Sequence, residues 1–319
     1  MPFLLLLLFL LATAPAARAQ PFSFALIGDM PYAPADSLKF GRLIDDINAA
    51  EPAWVLHLGD FKGGSAPCAD AVFEQRRGQL DRFAAPLVLT PGDNDWTDCH
   101  RSGSAPLERL ARLRQVFFDR PGTSLGRSPM PLETQAADPA YAEFPEHAMW
   151  QRGGVLFVSL HVVGSDNGLR PFEGRSADDD AEVGRRMEAT LAWTRAAFER
   201  ARREDLAAVL FAIQANPRFE NKPGSAARAP FQPLLEALAL GTAEFGRPVV
   251  LAHGDSHYFR IDRPLRHPAS GKRVEHFTRL EAFGSPDIHW LEVEVDAKRP
   301  QVFTARQRLV ESNLADHAE

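Results

Sequence analysis

Four short apolar runs in this sequence each end in Gly-Asp. Phe22-Ser23-Phe24-Ala25-Leu26-Ile27 leads into Gly28-Asp29-Met30-Pro31-Tyr32, and Trp54-Val55-Leu56-His57-Leu58 leads into Gly59-Asp60-Phe61-Lys62. Pro86-Leu87-Val88-Leu89, stopped by Pro91, leads into Gly92-Asp93-Asn94-Asp95-Trp96, and Pro248 to Ala252 leads into His253-Gly254-Asp255-Ser256-His257. One Gly-Asp after a strand is ordinarily a turn or a helix cap. Four, one of them followed by Ser-His, point to carboxylates collected for a purpose. Two carboxylates about 4 Å apart repel by roughly 4 kcal/mol at an effective dielectric near 20. A gathered cluster therefore takes up protons or a cation. Carboxylates with one imidazole and amide oxygens suit one or two divalent ions such as Mg, Mn, Fe or Ca better than a thiol-seeking metal.

The elements that position these residues alternate between strand and helix. Asp36 to Ala50 has helical spacing at Leu38, Leu43, Ile44 and Ile47. Ala69 to Phe83 reads as a second helix and Pro106 to Phe118 as a third, with Pro where its missing N–H costs nothing. Strands alternating with amphipathic helices predict a parallel sheet covered on both faces. Carboxyl ends of such strands share one edge, where ligands bind, and this would bring Asp29, Asp60, Asp93 and Asp255 together. Residues 120–141 read as a long surface excursion. Ala148 to Arg152, Gly153-Gly154 and Val155 to Val162 read as a β-hairpin. Asp178 to Arg203 is the longest helix, with three Asp at its start and Arg200, Arg202 and Arg203 at its end, as the helix dipole favours. Leu206 to Ile213 and Pro248 to Ala252 are further strands, with a helix near Pro230 to Phe245 between them. The tail alternates in polarity from Ile288 to Val295 and continues at Val302 to Leu309, predicting antiparallel strands with one wet face. No repeat or linker stands out, so one α/β domain is expected over residues 20–319.

Leu4 to Leu11 is an apolar run too short to span a bilayer. Ala17-Arg18-Ala19 follows, so residues 1–19 read as a secretory signal cleaved after Ala19. The expected location is periplasmic or secreted, with no stable membrane insertion afterwards. The net charge of −6 without a basic stripe argues against nucleic acid as a partner. Cys68 and Cys99 are expected to form a disulfide in an oxidising compartment, the alternative being two separate buried thiols. No Cys-x-x-Cys accompanies them, which argues against metal binding by this pair. There is no Gly-x-Ser-x-Gly elbow and no glycine-rich nucleotide loop.

In order and spacing these motifs resemble the calcineurin-like metallophosphoesterases, from Phe22 to about Leu309. That family carries Asp-x-His, Gly-Asp, Gly-Asn-His-Asp/Glu, a His before a Pro, and Gly-His-x-His. The resemblance implies a four-layer α/β/β/α sandwich of mixed sheets, with metals at the strand ends. It also implies attack by a metal-activated hydroxide on the phosphorus of a small phosphorylated substrate. Asp29 matches the first Asp, while Pro31 stands where His is expected. Asp60 matches the carboxylate shared by both metals. Asp93 stands for the Asn ligand. Asn94 stands for the His that protonates the leaving group, with Asp95 as its acidic companion. Gln214-Ala215-Asn216-Pro217 occupies the fourth motif. Asp255 replaces the first His of the last motif and His257 keeps the second. The implied ligands are Asp29, Asp60 and His257 at one ion. At the other they are Asp60, Asp93 and Asp255, with Gln214 or Asn216 as possible additions. Lys62 is placed to contact a phosphate oxygen or to pair with the surplus carboxylates.

Two functions follow. One is an exported metal-dependent phosphoesterase. The other is a catalytically weak or inactive protein of the same fold that keeps a metal and binds a phosphorylated ligand. Cys68 follows the second motif and Cys99 the third, so their bond would brace the rim of the site. His57, His100 and His253 lie near the motifs in sequence, and Arg170, Arg175 and Arg218 are either anion contacts or solvated charges.

Overall fold

A computed structural model describes residues 20–314, and the signal-like segment 1–19 lies outside the described residues. The first three apolar runs are β1 (Phe22–Ile27), β2 (Val55–His57) and β3 (Leu87–Leu89). They pair in parallel, with Ala25 opposite Val55 and Val55 opposite Leu87. The alternating tail supplies β11 (Trp290–Val295) and β12 (Phe303–Arg308), added antiparallel beside β1 in the order β12-β11-β1-β2-β3.

The second sheet has the order β4-β5-β6-β7-β8-β10-β9. Its centre is parallel: β6 (Val155–Ser159), β7 (Ala208–Ala212), β8 (Val249–His253) and β10 (Phe277–Glu281). The hairpin partner β5 (Ala148–Arg152) is antiparallel to β6, as its Gly153-Gly154 turn requires. The 120–141 excursion ends in a two-residue strand, β4 (Glu133–Thr134), on β5.

Besides the short β4, two strands escaped the sequence pattern, β10 and its antiparallel neighbour β9 (Arg260–Asp262). The reason is a buried charge. Arg279 in β10 is almost fully buried and is held by Asp262 and Glu220, so the strand lacks a continuous apolar run.

Helices α1 (Asp36–Ala50), α2 (Asp70–Leu80) and α3 (Pro106–Phe117) pack on the outer face of the first sheet. Phe40, Leu43, Leu110 and Leu113 meet Ala25, Ile27, Val55 and Leu89 there. Between the sheets, Phe24, Leu26 and Leu56 meet Phe157, Leu210 and Val250, and Trp54 stacks on Phe24 at 5.2 Å. On the far side, Val158, Phe211 and Leu251 meet side chains of α5 (Ala177–Arg203) and α6 (Gln232–Phe245). A capping box of Ser176 and Asp179 starts α5. Successive strand residues face opposite sides, so β1 feeds one apolar layer with Phe24 and Leu26 and another with Ala25 and Ile27. Three apolar layers between four structural ones make the α/β/β/α sandwich. Among the described residues no helix is long and apolar enough to cross a membrane.

Cys68 and Cys99 are joined, with Cα atoms 5.7 Å apart. The bond ties the segment after β2 to the 3-10 turn Thr97–Ser102 after β3. Closing a loop of 31 residues in the unfolded chain stabilises the fold by about 3.7 kcal/mol. Reduction is expected to lower the melting temperature by roughly 6 °C. Differential scanning calorimetry with and without reductant checks this, and an unchanged transition in protein shown to be reduced contradicts it.

Candidate metal centre

The chain leaves each strand end abruptly. Asp29, Asp60, Asp255 and His257 all have left-handed backbone, with φ of 54°, 56°, 75° and 65°. Each such residue costs on the order of 1–3 kcal/mol, and such strain gathers at functional sites. Asp tolerates this conformation because its short side chain bonds locally.

Two glycines permit the close approach. A Cβ on Gly254 would fall 2.0 Å from Asp29 Oδ2, and one on Gly92 would fall 1.9 Å from Asp60 Oδ1. Without those side chains, the Asp255 N–H donates to both Asp29 oxygens at 3.1 and 3.0 Å. The Asn94 N–H donates to Asp60 Oδ1 at 3.0 Å.

The Tyr32 hydroxyl lies at the meeting point. It is 3.0 Å from Asp60 Oδ2, 3.3 Å from His257 Nε2 and 3.4 Å from Asp29 Oδ1. His257 Nε2 is 3.8 Å from Asp29 Oδ1. Donor atoms around one small ion, at about 2.0–2.2 Å from it, stand about 3.0–3.6 Å apart. The three distances from the tyrosine fall in that range, while the 3.8 Å between His257 and Asp29 exceeds it. Among the described residues no three His, Cys, Asp or Glu side chains by themselves are arranged to hold a metal. The Tyr32 hydroxyl is hydrogen-bonded to Asp29, Asp60 and His257, so the three side chains meet through it. The sequence carried one signal for it, a phenol three residues after Asp29 in the same strand-end turn.

The remaining motif residues divide by orientation. Asn94 turns inward, and its Nδ2 donates to Asp60 Oδ2 at 2.8 Å and to the Tyr32 hydroxyl at 3.0 Å. Asp95 faces the backbone. Its Oδ2 accepts from the Asp60 and Gly92 N–H groups at 2.9 and 2.8 Å, and its Oδ1 from Phe61 N–H at 2.9 Å. It thus positions the Asp60 turn. Asp95→Ala strands three buried donors and is expected to cost about 3 kcal/mol or more. Chemical denaturation measures this, and a cost below about 1 kcal/mol would show that Asp95 is not the support.

Lys62 is fully buried and donates to the Gly63 and Ala66 carbonyls, each at 3.3 Å. Burial lowers its pKa while the charges of Asp95 and Asp60 oppose that shift. Asn216 donates its N–H to Asp255 Oδ2 at 2.9 Å and its side-chain amide to Ser256 Oγ at 2.6 Å.

A roof covers Asp93 and Asp255. It is the single turn α4 (Gly164–Asn167), where Ser165, Asp166 and Asn167 are all left-handed. A Cβ on Gly164 would fall 2.7 Å from Asp93 Oδ2 and 2.9 Å from Asp255 Oδ1. Ser165 Oγ donates to Asp98, and the buried Arg186 guanidinium holds Asn167 through its side chain at 2.6 Å and its carbonyl at 3.0 Å. Nothing in the sequence pattern marks this turn.

The histidines near the motifs point elsewhere. His57 accepts from Gly59 N–H, and burial lowers its pKa to about 4. His253 bonds to the Gly254 carbonyl, and burial lowers it to about 3. His100 stacks on Phe172 at 4.4 Å. Of the three arginines, Arg218 pairs with Asp166 at 2.7 Å, Arg170 lies 3.9 Å from the same carboxylate, and Arg175 pairs with Asp180 at 2.7 Å.

The carboxylates are high in energy without a counter-ion. Burial, then the charge of Asp255, raises Asp29; burial, then Asp93, raises Asp60. Asp93 is raised to about 7 by burial and then by Asp255, and Asp95 to about 6 by burial. Burial also raises Asp255 and, followed by the Asp60 charge, Tyr32.

No family model matches the sequence, and no curated protein matches it. Solved structures do. The chain is similar to PhoD at 13% identity and a TM-score of 0.55, over 89% of this chain and 65% of that one. It is similar to purple acid phosphatase PPD1 from yellow lupin (Lupinus luteus) seeds at 12% identity and a TM-score of 0.51, over 91% of this chain and 54% of that one. It spans less than two thirds of the length of either. The likeness is one of fold, the α/β/β/α sandwich.

Proposed function

We propose that this chain is an exported, metal-dependent hydrolase of phosphate esters. The observation that carries the reading is the convergence of Asp29, Asp60 and His257, from three strand ends, on the Tyr32 hydroxyl. A bound divalent cation would supply positive charge that lowers the pKa of water and offsets charge on the phosphoryl oxygens. Asp95 holds Asp60 in place through backbone donors, and Asn94 fixes the Asp60 and Tyr32 oxygens. The periplasmic or secreted location rests on the signal-like residues 1–19 and the Cys68–Cys99 bond.

Asn94 stands where the resembled family has its proton donor, and the nearby imidazoles face away. A missing general acid costs about 10²–10⁴ in rate. Substrates with good leaving groups are therefore favoured. The inward turn of Asn94 also supports a second reading, a protein that binds a phosphorylated ligand without turning it over. Steady-state hydrolysis of p-nitrophenyl phosphate with Mn²⁺ distinguishes the two. Chelator-sensitive turnover supports the hydrolase. Ligand binding without turnover supports the second reading.

A further inference from the structure

Gln214 lies beside the carboxylates that a second cation would use, and its orientation is determined by a neighbour. Its Oε1 accepts from the Gly164 N–H at 2.7 Å. A backbone N–H can only donate, so the two ends of this amide cannot be exchanged. The Nε2 end must then face the carboxylates. It donates to Asp60 Oδ2 at 3.2 Å. Gln214 is fully buried, so water does not compete for these bonds.

An amide N–H₂ has no lone pair to give a metal, and its hydrogens carry positive charge toward the place a second cation would take. The other possible amide ligand is also committed, since Asn216 spends its side-chain donor on Ser256 and its Oδ1 on the Arg218 N–H at 2.9 Å. Asp93 and Asp255 remain near each other under Gly164.

We propose that the residues present do not fit a second cation beside Asp60, and that the Gln214 amide, fixed by the Gly164 N–H, takes its place by donating to Asp60. This rests on the metal-dependent reading above and goes further, because the resemblance alone implies two ions. It assigns Gln214 as a positioning residue that supplies a fraction of a cation's charge without exchanging with solvent.

Elemental mass spectrometry of the mature protein tests this. The protein is loaded with excess Mn²⁺, desalted, and measured beside Gln214→His and Gln214→Glu, which supply a lone pair or a charge at the same place. The expected result is about one equivalent of Mn in wild type and about two in whichever variants fold by circular dichroism. Calorimetric titration with Mn²⁺ gives an independent count of sites. Two equivalents in wild type overturn the proposal and leave the metal-dependent hydrolase standing. No bound metal in wild type overturns both. Folded variants that stay at one equivalent overturn the role given to Gln214.

Discussion

Asp60→Asn lowers kcat/KM for p-nitrophenyl phosphate with Mn²⁺ by about 10³-fold or more. Asp60 is the hub of the centre. Its Oδ2 meets Tyr32, Asn94 and Gln214, and its Oδ1 meets the Asn94 N–H. The substitution removes one negative charge and replaces one acceptor oxygen with a donor. A cation position that loses a carboxylate ligand loses several kcal/mol, and about 4 kcal/mol is a factor near 10³. Stability responds differently. Losing a charge among raised-pKa carboxylates relieves repulsion, and this offsets the hydrogen bonds that are lost. The variant should therefore remain folded. Kinetics and a melting curve on the same preparation give the answer. A folded variant within tenfold of wild type would remove Asp60 from the reaction and sink the hydrolase reading as built here.

The second large effect is on stability against pH in chelator-treated protein. Burial, then the charges of Asp255 and Asp98, push the Asp93 pKa up from the ordinary 3.8 to about 7. Below the lower value both states are protonated and the group contributes no slope. Between the two values the unfolded carboxylate ionises first, so stability falls as pH rises toward 7. Above that the loss is complete. The size is on the order of 4 kcal/mol, from about three units at 1.36 kcal/mol each. Buried histidines such as His57 and His147, with lowered pKa values of about 4 and 3, slope the opposite way below their ordinary value. Comparing wild type with Asp93→Asn cancels them. Urea denaturation at steps from about pH 4 to pH 8 should show wild type losing about 4 kcal/mol more than the variant. Parallel curves would show that Asp93 titrates normally. Mn²⁺ should restore more stability at the alkaline end, where the carboxylates are ionised and free to ligate.

The sandwich was legible because its strands are nearly pure apolar runs and its helices amphipathic. β1 and α1 run over the residues expected of them, and the other matched elements shift mainly at their ends. β10 was not legible, because a strand that buries Arg279 against Asp262 and Glu220 breaks the hydrophobic period on which such reading rests. The four Gly-Asp motifs were equally plain. Local sequence determines which residues sit at strand ends, parallel pairing carries Asp29, Asp60 and Asp93 to one edge of the first sheet, and sheet-on-sheet packing brings Asp255 to them from the second. The direction of each side chain was decided only in three dimensions. Asp95 turns to the backbone, Asn94 turns inward, and Tyr32 reaches the centre of the cluster. The decisive case is Gln214. Its residue type permits a carbonyl ligand or an amide donor, and the Gly164 N–H from α4 selects between them. That partner lies 50 residues away in the chain. The amino-acid sequence by itself therefore determined the layers and the collected carboxylates, through periodicity and turn chemistry. Only the tertiary structure decided which polar atoms face one another, because hydrogen-bond direction depends on contacts that no local pattern encodes.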